Sequence, residues 1–583
     1  MPYALCPMLY ALCPMPYARG VPHLSEKGYM LKTKRKSKKS KHKHSEKTTA
    51  LSKKEVAAQK RKLSEKRNEL VQAIALSCLV SVAVSIPLLL VARPKIALAG
   101  GAAAAILLLS YKYPRQALWA FLIYLPFSGT ITYAIGGGNA AFQVAKDAFY
   151  IPALIALIQS CKKKQLPLFI PKQMLSTFSI LLMMAMLTLI FVNGEMQLNP
   201  MKGDKPILQG ILGLKVLIGY IPLIACTYYL LRTKKDLVFF SRMHIVLAIV
   251  CCLLGLIQYL LLQSGKCAGT RGMTGAELYK ATLQARCFVG GSLVFSPEVK
   301  FVRLPGTFVA PWQWAWFLIS NAFLTFASAF CDPSFWWRVI GLFGMALVFA
   351  NAVISGQRAA LVMVPVATAI LLVLTGQLIN FKRFIPIGAG LAILLFVGAA
   401  INPGIIEQRW ESFVSRWNAA PPQQFLFNQF EQSNNFIIDR PFGRGVGRAT
   451  NSTRIFGATQ LIETFQPKLI YELGYPGMIS FQIMLLHLAF LTFRNYRSVK
   501  DKSLRSYGAS FWVFVAFITI NTQYYPLDVD PVSVYYWVLA GAILKLPKID
   551  KQVQDEKHQE VESNELQVHQ ALKEKKIIAS SPI

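Results

Sequence analysis

Five positively charged side chains lie in or against strongly apolar sequence, where charge is costly and tends to serve function. Arg358 stands in ISGQRAALVMV (Ile354–Val364), directly after Ser355-Gly356 and at the start of an apolar run. A flexible turn followed by a helix start favours an anion. Lys215, in GLKVLIGYIPLI, is embedded within its apolar run, and Arg303, in RLPGTFVAPWQWA, immediately precedes another. Arg440 and Arg444 belong to DRPFGRGVG (Asp439–Gly447), a glycine-rich turn that lets backbone approach a ligand closely. A guanidinium binds phosphate through two parallel hydrogen bonds and keeps its charge, so the chemistry indicated is phosphate or diphosphate binding. Two acidic groups accompany the cations. Lys146-Asp147 reads as a self-neutralising pair, and Glu472 as a partner for an arginine.

The motifs of soluble enzymes are not found: there is no P-loop, no G-x-S-x-G in context and no HExxH. The ten cysteines show no CxxC metal spacing, so neither a metal nor a cofactor is expected.

The elements that must position these residues are membrane helices. The 583 residues are 54% hydrophobic with mean hydropathy +0.41, too apolar for an ordinary soluble domain. Apolar runs at 70–92, 96–111, 114–132, 144–161, 174–193, 208–231, 237–262, 308–330, 336–354, 357–377, 384–402, 468–492, 507–526 and 531–546 predict an all-α, polytopic bundle of 12 to 14 spans. The net charge of +35 sits mostly outside these runs. Alternation puts CKKK (Cys161–Lys164), RTKK (Arg232–Lys235), FKR (Phe381–Arg383) and FRNYRSVKDKSLR (Phe493–Arg505) on the side of the basic N-terminal arm. This is the positive-inside pattern, which needs no nucleic-acid partner and places both termini in the cytoplasm.

Three regions follow: a basic, irregular arm over 1–69 that can touch anionic lipid, a membrane domain over 70–546, and a charged cytoplasmic tail over 547–583. Two sizeable loops face outward, 263–304 and 403–467, the second lying just before the last three spans. In the second, IIEQRWESFVSRW places Ile406, Trp410, Phe413 and Trp417 on one helical face, the pattern of a helix lying in the interfacial layer. Cys267 and Cys287 are the two cysteines in the predicted outer loops, an oxidising side, and are expected to form a disulfide.

At RLPGTFVAPWQWA (Arg303–Ala315), SGQRAALV (Ser355–Val362), NNFIIDRPFGRGVG (Asn434–Gly447) and ETFQPKLIYELGYPG (Glu463–Gly477) the chain resembles the O-antigen ligase and polymerase superfamily. The resemblance covers residues 96–540 in layout and is most specific over 340–480. It implies a metal-independent, inverting glycosyltransferase in the plasma (inner) membrane, joining an undecaprenyl-diphosphate-linked glycan to an acceptor glycan or lipid at the outer face. On that likeness Lys215, Arg303 and Arg358 would hold the diphosphate. The family usually has Arg where Lys215 falls, and His followed by Asn where Glu463-Thr464 fall. Glu463 would then be the titratable group nearest the acceptor hydroxyl. Both departures fit a polymerase, an exopolysaccharide enzyme or a divergent member with lost activity better than a lipid A-core ligase. Two other readings stand beside it: a transporter for a small anion such as bicarbonate, with Lys146, Asp147 and Lys215 along its path, and a non-catalytic glycan-binding subunit.

Overall fold

The computed structural model describes residues 41–91, 94–138, 142, 145–166, 172–279, 285–296, 301–376, 404–419, 421–521 and 526–579. The chain divides into two units, residues 1–117 and 118–583.

In the first unit, α1 (Lys41–Val91) and α2 (Pro94–Lys112) form an antiparallel hairpin. The Ser85 hydroxyl donates to the Ala97 carbonyl at 3.2 Å, and Gly101 packs against Ser81 and Ser85. Small residues let two apolar helices approach this closely where no water drives them together. Residues 41–69, expected to be part of an irregular arm, are helical and continuous with the apolar half of α1. The reason lies in composition: this stretch is rich in Ala, Leu, Lys, Glu and Arg, all strong helix formers. Residues 1–40 lie outside the described residues.

The boundary at 117/118 falls within α3 (Pro114–Tyr124), which runs on through 3₁₀ and π turns to Ile135. The second unit continues with α4 (Asp147–Lys163), α5 (Leu175–Leu187), α6 (Pro206–Ile218), α7 (Leu223–Leu230) and α8 (Lys234–Gln263). A two-stranded ribbon follows, β1 (Val294–Ser296) antiparallel to β2 (Phe301–Arg303), with Val294 opposite Arg303. Then come α9 (Pro311–Cys331), α10 (Phe335–Ile354) and α11 (Arg358–Leu374). The large loop carries α12 (Ile405–Ala419) and α13 (Pro422–Ile437). Last are α14 (Phe465–Arg497), α15 (Lys502–Ile520) and α16 (Val532–Ala579).

Among the described residues 79% are helical, and ten helical segments there are long and apolar enough to cross a membrane, which makes this a multi-pass membrane protein of the all-α class. Two shorter apolar helices, Ala97–Lys112 and Arg358–Leu374, accompany them among the described residues. The span expected at 384–402 lies outside those residues. The polar tail is no separate element through Ala579, because α16 continues unbroken into it.

α9 is buried along its whole apolar window, so the bundle is built around it. Lysine- and arginine-rich helix ends meet at one end of the bundle. Lys234 pairs with Asp501 at 3.1 Å, Arg242 with Asp332 at 2.8 Å, and the Asp550 carboxylate accepts from the Lys500 and Asp501 amides at 2.9 Å each. Burial pushes the Asp501 carboxyl upward, but the Leu504 amide and Lys234 outweigh it and hold the group below its usual range.

Candidate functional site

The end of the bundle opposite the basic one carries the residues singled out above. Arg303 closes β2, and the next residue, Leu304, donates its amide to the Ser355 carbonyl at 3.0 Å. Gly356 has φ +66°, and a Cβ placed there would lie 1.8 Å from the Val302 carbonyl oxygen. The ribbon therefore sits directly on the turn that begins α11, and this corner has Arg303 at the end of the strand and Arg358 two residues past Gly356. Both side chains are half-buried. Val302 and Leu304 are anchored in a core with Tyr259, Leu262, Leu293 and the disulfide-bonded Cys267 and Cys287 (Cα–Cα 5.6 Å). Gln258 of α8 adds a buried clamp, donating to the Cys287 carbonyl and accepting from the Gly306 amide, each at 3.0 Å.

Because the left-handed turn leaves no room for a side chain, Gly356→Ala should push the ribbon off the corner. The expected result is an Arg303 loop that trypsin cuts faster than in the parent, with the helical circular dichroism of the bundle retained.

One turn along α11 from Arg358, Val362 lines a cleft of about 190 Å³ with Phe413, Val414, Trp417 and Asn418 of α12. The expected aromatic face of α12 is present: the Phe413 ring contacts Trp410 at 6.0 Å and Trp417 at 5.5 Å. The side chain of Ile406, assigned to the same face, lies outside the described ones.

Arg440 and Arg444, both half-buried, flank the buried Gly443 in a turn seated on α14. The amides of Arg444 and Gly445 donate to the Tyr471 and Glu472 carbonyls at 2.7 and 3.2 Å, and the Arg444 Nε donates to the Phe436 carbonyl. Pro476 has no N–H for the Glu472 carbonyl, and Gly474 breaks the helix at φ +70°, ψ −178°, so both carbonyls are free to accept from the turn. A fully buried Asn193 bridges to the turn from the helical run after α5, donating to the Val446 carbonyl at 3.1 Å and accepting from its amide at 2.8 Å. Gly213 of α6 packs against Gly447. Arg448 pairs with Asp204 at 3.2 Å.

Lys215 lies two residues beyond Gly213 and is committed elsewhere, to Asp147 at 2.8 Å. Lys146 pairs with Asp530 at 2.6 Å. Lys146-Asp147 is thus not a closed pair: each side chain has a partner from elsewhere in the chain, Asp530 in the turn before α16 and Lys215 on α6. Neighbouring residues on a helix turn point about 100° apart, so each finds its partner across an interface. Among the described residues Glu472 likewise has no arginine partner. Its Oε1 accepts from the Ala449 amide at 2.7 Å and the Thr450 hydroxyl at 2.9 Å. Lys468, a turn before it, forms a buried ion pair with Asp528. Sequence reading missed Asp528 and Asp530. The signal was their run, DVD at 528–530, directly before a span.

Glu463 is half-buried just ahead of α14, and its amide donates to the Gln429 side chain of α13 at 2.9 Å. Among the described residues its carboxylate forms no ion pair. The structure therefore brings the strand end at Arg303 onto the turn that precedes Arg358, and the turn of Arg440 and Arg444 onto α14. Lys215 is set in a network of ion pairs, and Glu463 beside α13. None of the described His, Cys, Asp and Glu side chains is grouped as a metal site would need. Compared with known protein families and with curated proteins, the chain matches none.

Proposed function

We propose that this chain is a membrane glycosyltransferase of the glycan polymerase or ligase type, acting on a lipid-diphosphate-linked oligosaccharide at the outer face of the plasma membrane. The observation that carries the reading is the corner where Arg303 and Arg358, 55 residues apart in sequence, are joined by the Leu304–Ser355 hydrogen bond and the Gly356 turn. Two guanidinium groups at a helix start are suited to a diphosphate. The apolar cleft beside Val362 suits the lipid part of such a donor.

In the reaction, an acceptor hydroxyl oxygen attacks the anomeric carbon as the bond from that carbon to the diphosphate oxygen breaks, with inversion. The diphosphate takes the bonding electron pair, and Arg303 and Arg358 stabilise the charge that develops there. Arg440 and Arg444 contribute positive field from the turn seated on α14. Glu463 orients the acceptor hydroxyl and receives its proton. Lys215 spends its charge on Asp147, so its part is to fix α6, whose Gly213 supports the turn at Gly447.

Glu463→Gln keeps the shape and removes the base. Polymer output is expected to fall by about a hundredfold or more. Output near that of the parent would mean that Glu463 is neither base nor essential acceptor.

Profiling lipid-linked intermediates in a deletion strain tests the reading as a whole. Accumulation of single repeat units identifies a polymerase, and accumulation of long lipid-linked chains a ligase. An unchanged profile, with altered uptake of a small anion, would replace the reading with a transporter. The same proposal puts both termini in the cytoplasm, because the basic helix ends gather at one end of the bundle. Labelling of a Gln423→Cys variant by an impermeant thiol reagent on intact cells is expected, and its failure would reverse the orientation.

A further inference from the structure

The outer end of the seam between α8 and α9, at Gln258 and Leu262, braces the ribbon of the site above, while the rest of the seam, from Ser241 to Gly255, has no part in that site. Along α8, the residues Ser241, His244, Ala248, Cys251, Gly255, Gln258 and Leu262 recur at alternating spacings of three and four, which puts them on one face. All are buried, and all but Leu262 are small or polar. On α9, Trp314, Leu318, Asn321, Thr325 and Ser328 make a second buried stripe, ending at Asp332. The Ser241 and Ser328 hydroxyls hydrogen-bond at 2.6 Å, which sets the two stripes face to face. From Ser241 to Gln258 the seam runs about 26 Å at 1.5 Å per residue, close to the thickness of a bilayer's hydrocarbon core.

Polar residues at helix interfaces in membranes commonly act as glue by bonding across the interface. Here most of that capacity is turned inward or left unspent. Thr325 donates to the carbonyl of Asn321, and the Asn321 amide to that of Phe317, both on their own helix. Among the described residues, five buried polar atoms on the seam or facing it from α10 and α16 have no hydrogen-bond partner: His244 Nε2, Trp314 Nε1, Asn321 Oδ1, Asn351 Oδ1 and Tyr535 Oη. Such atoms are costly in a membrane interior unless water reaches them. Donors and acceptors are both represented, as a file of bridging water requires.

His244 gives the file a titratable member. Its Nδ1 lies 2.8 Å from the Phe240 carbonyl, which can only accept, so Nδ1 carries the hydrogen and Nε2 presents a lone pair to the seam. The titratable groups around it are Tyr535 of α16, whose ring centre is 5.4 Å away, Tyr507 of α15, beside Ser241 and Ser328, and Cys251 two turns along α8. The nearest ion pair, Arg242–Asp332, stands at the basic end of the seam.

We infer that a file of internal water runs along the α8–α9 seam and passes protons between the two ends of the bundle, with His244 as the protonation site within it. In each transfer a proton arrives at Nε2 from one water and leaves from the same nitrogen to another, so the imidazole is regenerated and no other reactant is needed. The inference does not depend on the glycosyltransfer reading.

The test uses the full chain in liposomes enclosing a pH-sensitive dye, with potassium and valinomycin setting the driving potential. Proton flux at least tenfold above protein-free liposomes is expected. His244→Leu and Asn321→Leu, each eluting as a single species of the parent's size, should lower it at least fivefold. Flux at the protein-free level overturns the inference, whatever the variants do. So does parent-level flux in a well-folded His244→Leu or, should that variant fail to fold, in Asn321→Leu.

Discussion

Arg358→Ala should reduce glycan transfer by about 100-fold or more while leaving the protein at normal abundance in the membrane. The size follows from removing a donor aimed at charge that develops in the transition state, a loss of about 3 to 4 kcal/mol in comparable sites. Folding should be spared because Arg358 is half-buried in the first turn of α11, while the apolar face of that helix, with Ala360, Val364, Ala367 and Leu371 buried, does the packing. Arg358→Lys should be impaired as well, since a point charge does not replace the two-pronged guanidinium. Conversion of lipid-linked repeat units by membranes of each variant, normalised to protein, measures the effect. A fully active Arg358→Ala protein would remove this residue from the site.

Lys468→Met acts on stability instead. It leaves Asp528 charged and largely buried, its side chain 10% exposed against 3% for Lys468. Breaking a buried pair from one side costs about 3–5 kcal/mol, because the remaining charge has lost both water and partner. The second change, Asp528→Asn, removes that charge, so the double variant should recover most of the loss. Thermal unfolding of purified protein in detergent distinguishes the outcomes. A single variant as stable as the parent would mean that Asp528 finds another cation or water.

The membrane class was legible because a helix that must bond its own backbone in lipid leaves long apolar runs. The Arg303 and Arg358 corner was legible in part. Each arginine flanks an apolar run, and Ser355-Gly356 marks a turn, but nothing in the linear order says that β2 lands on that turn. Charge partners were the poorest reading. Lys146 and Asp147 are adjacent in sequence, and adjacency suggests pairing, whereas Asp530, from the turn before α16, and Lys215, from α6, take them. Glu472 was matched to a guanidinium because charges in apolar surroundings want opposite charges. A backbone amide and a hydroxyl satisfy its Oε1 instead. Long-range pairing of this kind depends on which helix faces meet, and that depends on side chains across the whole bundle.

At Gly474 the α14 helix lends the Tyr471 and Glu472 carbonyls to the Arg444–Gly445 turn. The boundary between loop and span is thus not a natural cutting point in this protein. A graft of residues 439–449 onto another scaffold, made to transplant its specificity, would arrive without the carbonyls that shape it. A deletion of the same residues would leave those carbonyls without the amides that now pair them. Any exchange has to carry 439–449 and 471–476 together, two segments that function as one inheritable module although a helical turn and a long stretch of chain lie between them.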